Sequence, residues 1–197
     1  MEILVATGNP GKMREFKQLL APLQVSLCFP PELGLEIEVV EDGDTYLENA
    51  RKKALAFACA SGLFTLADDS GLEVDALDGA PGIRSARYAP GHDLDRVEAL
   101  LSHLAGVPWE ERTARFRCLV VAVAPAGETY SAEGVCEGMI AFEPEGQGGF
   151  GYDPVFFIPE YGCTMALLAS EVKNRISHRA RAVAAALPAL RRRLVGV

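Results

Sequence analysis

Hydrophobic and polar residues change their period several times along this chain, and each change marks an element. Residues 2–7 form an apolar, β-branched run broken by Gly8-Asn9-Pro10-Gly11, after which Met13, Phe16, Leu19 and Leu20 recur at helical spacing. That pattern predicts a strand, a tight turn and a helix. A second strand is expected over residues 25–29, and Pro30-Pro31 and Gly34 open a loop that runs into the acidic stretch 36–44. Between Thr45 and Ser61, Leu47, Ala50, Ala54, Leu55 and Ala58 repeat with a helical period, and Gly62 supplies the stop. Residues 64–67 then read as a strand that delivers Asp68-Asp69-Ser70-Gly71, with residues 72–77 extended beyond it.

The second half continues the alternation. Residues 93–104 carry a helical period, with Asp93 as N-cap and Gly106 beyond the end. Residues 115–124 and 128–136 are two strands around Pro125-Ala126-Gly127, a hairpin in the middle of the chain. A glycine-rich stretch, 146–151, leads into strand-like residues 152–158, and an alanine-rich helix over 177–194, capped by Ser177 and interrupted by Pro188, closes the sequence. Strands interleaved with helices and split by a hairpin predict an α/β fold whose sheet is mixed. No repeat, low-complexity tract or linker divides residues 1–197, which are expected to form a single domain.

Composition narrows the function. With 49% hydrophobic and 23% charged residues the chain can build a core, which excludes a disordered tail. A net charge of -8 argues against broad nucleic-acid binding, which needs a basic face. The run 118–124 is far shorter than the roughly 20 apolar residues that span a bilayer. Met1-Glu2-Ile3 lacks the basic start of a signal peptide, so a cytoplasmic protein without membrane contact is expected. The 5 cysteines include no CxxC pair and are expected to be reduced thiols among apolar neighbours. An acidic protein still binds a phosphorylated small molecule where its few cations converge or a metal intervenes.

Four clusters are suited to such chemistry. Thr7-Gly8-Asn9-Pro10-Gly11-Lys12 joins a strand to a helix, so backbone N–H groups and one ammonium face whatever sits there. It is not a Walker A loop, because the spacing is short and Met13 stands where Ser or Thr would hold magnesium. Gly146-Gln147-Gly148-Gly149-Phe150-Gly151 satisfies GxGxxG, but a strand-like segment follows instead of a helix, which argues against a dinucleotide site. An aromatic ring and a carboxylate, Phe150 and Asp153, suit a flat ligand better. Glu41, Glu48 and the pair Asp68-Asp69 are the acidic candidates. Adjacent residues on a strand face opposite sides, so one of the two aspartates should dominate at a magnesium ion, while Glu48 has a competing partner in Lys52, four residues on. Lys173, His178 and Arg179 gather near the start of the last helix, a placement suited to an anionic or carbonyl-bearing ligand.

Taken together, Thr-Gly-Asn-Pro-Gly-Lys at 7–12, Glu-Asn-Ala and Lys-Ala within 48–54, Asp-Asp-Ser-Gly at 68–71, Pro-Gly-Ile-Arg-Ser-Ala-Arg-Tyr-Ala at 81–89, Gly-Gly-Phe-Gly-Tyr-Asp-Pro at 148–154 and Ser-His-Arg at 177–179 resemble the inosine/xanthosine triphosphate pyrophosphatases. The resemblance covers nearly the whole chain, in order. It implies an elongated two-lobed fold with a central mixed sheet flanked by helices and the active site in a groove, a homodimer, and magnesium-dependent hydrolysis of ITP, dITP and XTP to the monophosphate and pyrophosphate. By match, Asp69 is the proton acceptor, and Asp69 and Glu41 hold Mg2+. Thr7, Gly8, Asn9, Pro10, Gly11, Lys12, Lys53, Ser70, Phe150, Gly151, Tyr152, Asp153, Lys173, His178 and Arg179 are implied to bind substrate. Two rival readings remain open: a septum-inhibitor-like nucleotide pyrophosphatase with other base preferences, and a non-catalytic nucleotide sensor.

Overall fold

A computed structural model describes residues 2–194. The strands are β1 (Glu2–Val5), β2 (Ser26–Cys28), β3 (Phe64–Val74), β4 (Thr113–Val123), β5 (Thr129–Ile140), β6 (Phe156–Ile158) and β7 (Cys163–Thr164). The helices are α1 (Pro10–Leu19), α2 (Tyr46–Ser61), α3 (Asp93–His103), α4 (Ser170–Ile176) and α5 (His178–Leu194). The strands make one sheet in the order β2-β1-β3-β4-β5-β6-β7. β1 runs parallel to β2 and β3, with Ile3 beside Leu27 and Phe64, while β6 runs antiparallel to β5 and β7. The sheet is therefore mixed, as the interleaved pattern and the central hairpin predict.

The chain divides into two compact units: Met1–Asp69, Cys118–Gly134 and His178–Val197 make the first, and Ser70–Arg117 with Val135–Ser177 the second. In the first unit, strand alternation assigns each side chain to a layer. Ile3, Val5, Leu66, Cys118, Val120 and Ala122 pack with Phe16 and Leu20 of the α1 region and with Ala182 and Val183 of α5. The intervening Leu4, Ala6, Ala67, Val121 and Val123 pack with Ala50, Ala54 and Phe57 of α2. Asp68 continues the face of Leu66, and Asp69 that of Ala67.

In the second unit, Leu72, Val74, Phe116, Cys136, Ile140 and Phe156 form a core with Val97, Leu100 and Leu104 of the α3 region. The alternate positions carry charge, with Arg117 Nε 3.0 Å from Glu73 and Arg115 Nη2 2.7 Å from Asp75. This is the half-buried pattern of a sheet with one apolar face.

Several expectations need correction. β3 does not stop at Ala67 but continues through both aspartates to Val74, because partners on either side meet their charges. On α2 the buried face is Tyr46, Asn49, Ala50, Ala54, Phe57 and Ala58, whereas Leu47 and Leu55 are exposed. Glu48 does not pair with Lys52. Its carboxylate accepts from the Asp44 and Thr45 amides in a capping box, and Lys52 pairs with Asp42 at 2.5 Å. His92, not Asp93, is the N-cap of α3. α5 runs on through Pro188, where Ala184 and Pro188 are exposed and water can serve the carbonyl that loses its donor. The glycine-rich stretch is followed by turns and then β6, so no dinucleotide-type helix forms there. All five cysteines are free, with Cys28, Cys118 and Cys136 buried and Cys59 exposed.

Candidate active site

In the first unit, the turn between β1 and α1 is held by its own side chains. Asn9 caps α1, its Oδ1 accepting from the Lys12 amide at 3.0 Å, while the Asn9 amide donates to Thr7 Oγ1 at 3.2 Å. Pro10 occupies the first turn, where its missing N–H removes nothing from the helix. Gly8 is exposed, and a Cβ there would meet no atom within 4 Å, so the backbone lies open on that side.

Two ammonium groups converge from this turn and from α2 on the middle of β3. Lys12 Nζ lies 3.0 Å from Asp68 Oδ2, and Lys53 Nζ lies 3.1 Å from the Asp68 carbonyl oxygen and 2.6 Å from Glu41. Asp68 also receives Arg179 through Nε at 3.0 Å and Nη2 at 2.8 Å. Arg179 in turn reaches Glu15 at 2.5 Å and is 1% exposed. Across the strand, Asp69 Oδ2 accepts from Asn49 Nδ2 at 3.2 Å, and Asn49 Oδ1 accepts from the Gly43 backbone N–H at 2.8 Å. Gly43 has no room for a side chain, since a Cβ would lie 2.8 Å from Asn49 Oδ1.

The environments of the adjacent carboxylates diverge. Burial alone would raise the Asp68 carboxyl, but Lys12, Arg179 and Lys53 hold it well below the usual range. Burial pushes Asp69 up, Glu41 adds to that, and Lys12, Lys53 and the Asn49 hydrogen bond only partly oppose it. Neighbouring acids driven apart in this way mark places where protons are handled.

Among the described residues no three His, Cys, Asp or Glu side chains gather into a metal cage. Magnesium needs none, because it keeps several waters and takes one or two carboxylates together with substrate phosphates. Asp69 and Glu41, close enough for the Glu41 charge to disfavour ionisation of Asp69, fit that donor set.

The second unit contributes a separately braced loop. Asp153 Oδ2 accepts from Lys173 Nζ at 2.5 Å and from the Phe150 amide at 2.8 Å, with the Lys173 ammonium 5.0 Å from the Phe150 ring centre. Asp153 and Lys173 are buried, whereas Phe150 is half-buried. The Gly151 amide donates to Asp93 at 2.7 Å and Tyr152 Oη to the Ser85 carbonyl at 2.9 Å. Gly149 is required here: its φ is +75°, and a Cβ would fall on the Asp153 carboxylate. Ser70 lies on β3 at the start of this unit, while His178, buried, opens α5 in the first unit.

A family model described as the Ham1 family matches residues 3–189. The chain belongs to the Ham1 family. It is 50% identical over 194 residues, 98% of this chain and 96% of the relative, to a protein of Desulforamulus reducens named dITP/XTP pyrophosphatase. A Bacillus subtilis protein of the same name is 48% identical, with 92% of this chain and 93% of that one covered. The Ham1 protein of Staphylococcus aureus has a similar solved structure, with a TM-score of 0.83 at 40% identity, covering 100% of this chain and 99% of that one. A second, from Mycobacterium abscessus and named nucleoside-triphosphatase / dITP/XTP pyrophosphatase, gives a TM-score of 0.75 at 42% identity over 95% of this chain and 100% of that one.

Within this Ham1 chain the structure gathers Thr7 to Lys12, Glu41, Lys53, Asp69, His178 and Arg179 into the first unit, and Ser70, Phe150 to Asp153 and Lys173 into the second. Motif reading passes over Glu15 and quotes Asn49, within Glu-Asn-Ala, without giving it a role. A signal for Asn49 exists, a lone amide on the small apolar face of α2, but its partner lies 20 residues away. Glu15 has none, since it looks like any polar residue of an amphipathic helix until Arg179 arrives from 164 residues downstream.

Proposed function

We propose that this chain hydrolyses the deaminated purine nucleotides ITP, dITP and XTP to the monophosphate and pyrophosphate, and so cleanses the nucleotide pool. The whole of residues 1–197 acts as one catalytic domain in this reading, in the cytoplasm and as a homodimer. One observation carries it: two partly buried ammoniums converge on Asp68, and the next residue on the strand, Asp69, is a buried carboxyl raised above its ordinary value. Cations suit a polyphosphate, and the carboxylate suits the proton of an attacking water. The names of the relatives support the choice of substrate.

In the reaction the oxygen of a water attacks the α-phosphorus, and the bond from that phosphorus to the bridging oxygen breaks. Pyrophosphate leaves with the bonding electrons, and the proton of the water passes to Asp69. Lys12 and Lys53 oppose the charge that grows on the phosphoryl and leaving oxygens. Thr7 to Gly11 offer the open backbone of the β1–α1 turn to the polyphosphate. Glu41 and Asp69 would hold Mg2+, which when bound neutralises phosphate charge and orients the reacting groups. Ser70, Phe150, Gly151, Tyr152, Asp153, Lys173, His178 and Arg179 are assigned to the nucleoside part, Phe150 by its aromatic ring and Asp153 and Lys173 by holding that ring. Arg179, 1% exposed and engaged by Asp68 and Glu15, serves it through the buried charges it holds.

Pyrophosphate release from inosine, xanthosine, guanosine and adenosine triphosphates, with and without magnesium, tests this reading. Fast release from the first two, dependent on magnesium, is expected. Equal release from adenosine triphosphate would overturn the base preference, and tight binding without release would turn the chain into a sensor.

A further inference from the structure

Lys12 is a flexible cation on a partly open turn, yet its ammonium is fixed, and the means of fixing it reaches deep into the first unit. Glu15 stands one turn along α1, Arg179 comes from the first turn of α5, and Asp68 comes from β3. They connect in one line: Glu15 Oε2 to Arg179 Nη1 at 2.5 Å, Arg179 Nη2 to Asp68 Oδ2 at 2.8 Å, and Asp68 Oδ2 to Lys12 Nζ at 3.0 Å. The middle of the line is the most buried: the side chains of Arg179 and Asp68 are 1% exposed, that of Glu15 11% and that of Lys12 15%.

The order of charges explains why Glu15 is there. A buried Asp68–Arg179 pair by itself would be neutral and would hold an ammonium only weakly. With Glu15 balancing the guanidinium from the other side, Asp68 keeps enough negative charge to hold Lys12, and the group of four sums to zero. Lysine gains most from such a hold, because its charge is a compact point on a long rotatable stem. We propose that Asp68 and Glu15 are positioning residues for Lys12, with Arg179 as the link between them. This rests on the reading of Lys12 as the cation that meets the polyphosphate. Asp68 does not touch the reacting atoms in this arrangement, and its part is to keep Lys12 aimed where charge develops.

A double-mutant cycle on the full-length enzyme tests the proposal, with kcat for inosine triphosphate hydrolysis and the affinity for inorganic tripolyphosphate both measured. Asp68→Asn should lower kcat about tenfold when Lys12 is present and hardly further in a Lys12→Ala background. Tripolyphosphate affinity should hold or tighten in Asp68→Asn, because the released ammonium is still available to an anion; a merely damaged fold would lose affinity as well. Glu15→Gln should repeat the pattern more weakly, and it carries the same comparison if Asp68→Asn does not fold. Equal kcat losses with and without Lys12, or no loss in either variant, would overturn the proposal. A Lys12→Ala enzyme with unchanged kcat and tripolyphosphate affinity would instead sink the reading of Lys12 itself, and the inference with it.

Discussion

Asp68 and Asp69 have the same chemistry and neighbouring positions, and backbone alternation alone sends one to α1 and α5 and the other to α2. Their motif is legible in the sequence, as is the rule that they must part; which of them meets the lysines cannot be read there, because Lys12 and Arg179 come from opposite ends of the chain. Glu15 stays hidden for the same reason, and Asn49, though its motif is legible, shows no partner until Asp69 is placed beside it. The asymmetry has a direct test. Asp69→Asn keeps the shape of a buried side chain but cannot take a proton from water, so kcat should fall by about 100- to 10,000-fold. The melting temperature should stay near that of the unmodified protein. Near-normal turnover in the folded variant at saturating magnesium would remove Asp69 from the chemistry.

Among the elements, α1, α2 and the β4–β5 hairpin announce themselves through period and turn residues. α4 does not, since a segment as short as Ser170–Ile176 offers too few positions to show a period. Packing between elements is less legible still. Gly134 on β5 looks dispensable, yet a Cβ there would lie 2.2 Å from the Ala182 amide nitrogen and the His178 carbonyl oxygen, so α5 rests directly on the strand. Gly134→Ala should destabilise the protein by about 1–3 kcal/mol, seen as a lower urea midpoint. The start of α3 has its own dependence on pH. Burial would raise the Asp93 carboxyl, but the Gly151 amide and Arg96 outweigh it and hold it below its ordinary value. A carboxyl lowered on folding stabilises above its unfolded value, and that contribution fades as pH falls through the folded one. The stability gap between the unmodified protein and Asp93→Asn should therefore be largest near neutrality and close below about pH 4 in urea titrations.

For the whole molecule, the alternation of strands and helices makes the fold class legible, while two lobes are implied by the family resemblance and not by composition. Each unit is stitched from separated stretches, and β3, β4 and β5 each contribute residues to both, so no linker of altered composition marks a boundary. Among the described residues the cores are built of apolar side chains and no cluster of possible metal ligands joins them, which gives a separable prediction. Chelation by EDTA should abolish inosine triphosphate hydrolysis while leaving the thermal midpoint nearly unchanged, and added magnesium should restore turnover. Hydrolysis that persists in EDTA would count against Mg2+. The line of charges from Glu15 to Lys12 also sets a timetable. Arg179 lies 164 residues after Glu15 and 111 after Asp68, so at about 5–20 residues per second a growing chain carries Lys12 for many seconds before the guanidinium that pairs with Asp68 and Glu15 has been made. A chain ending before α5 would hold Lys12, Glu15 and Asp68 without the guanidinium that links the two carboxylates.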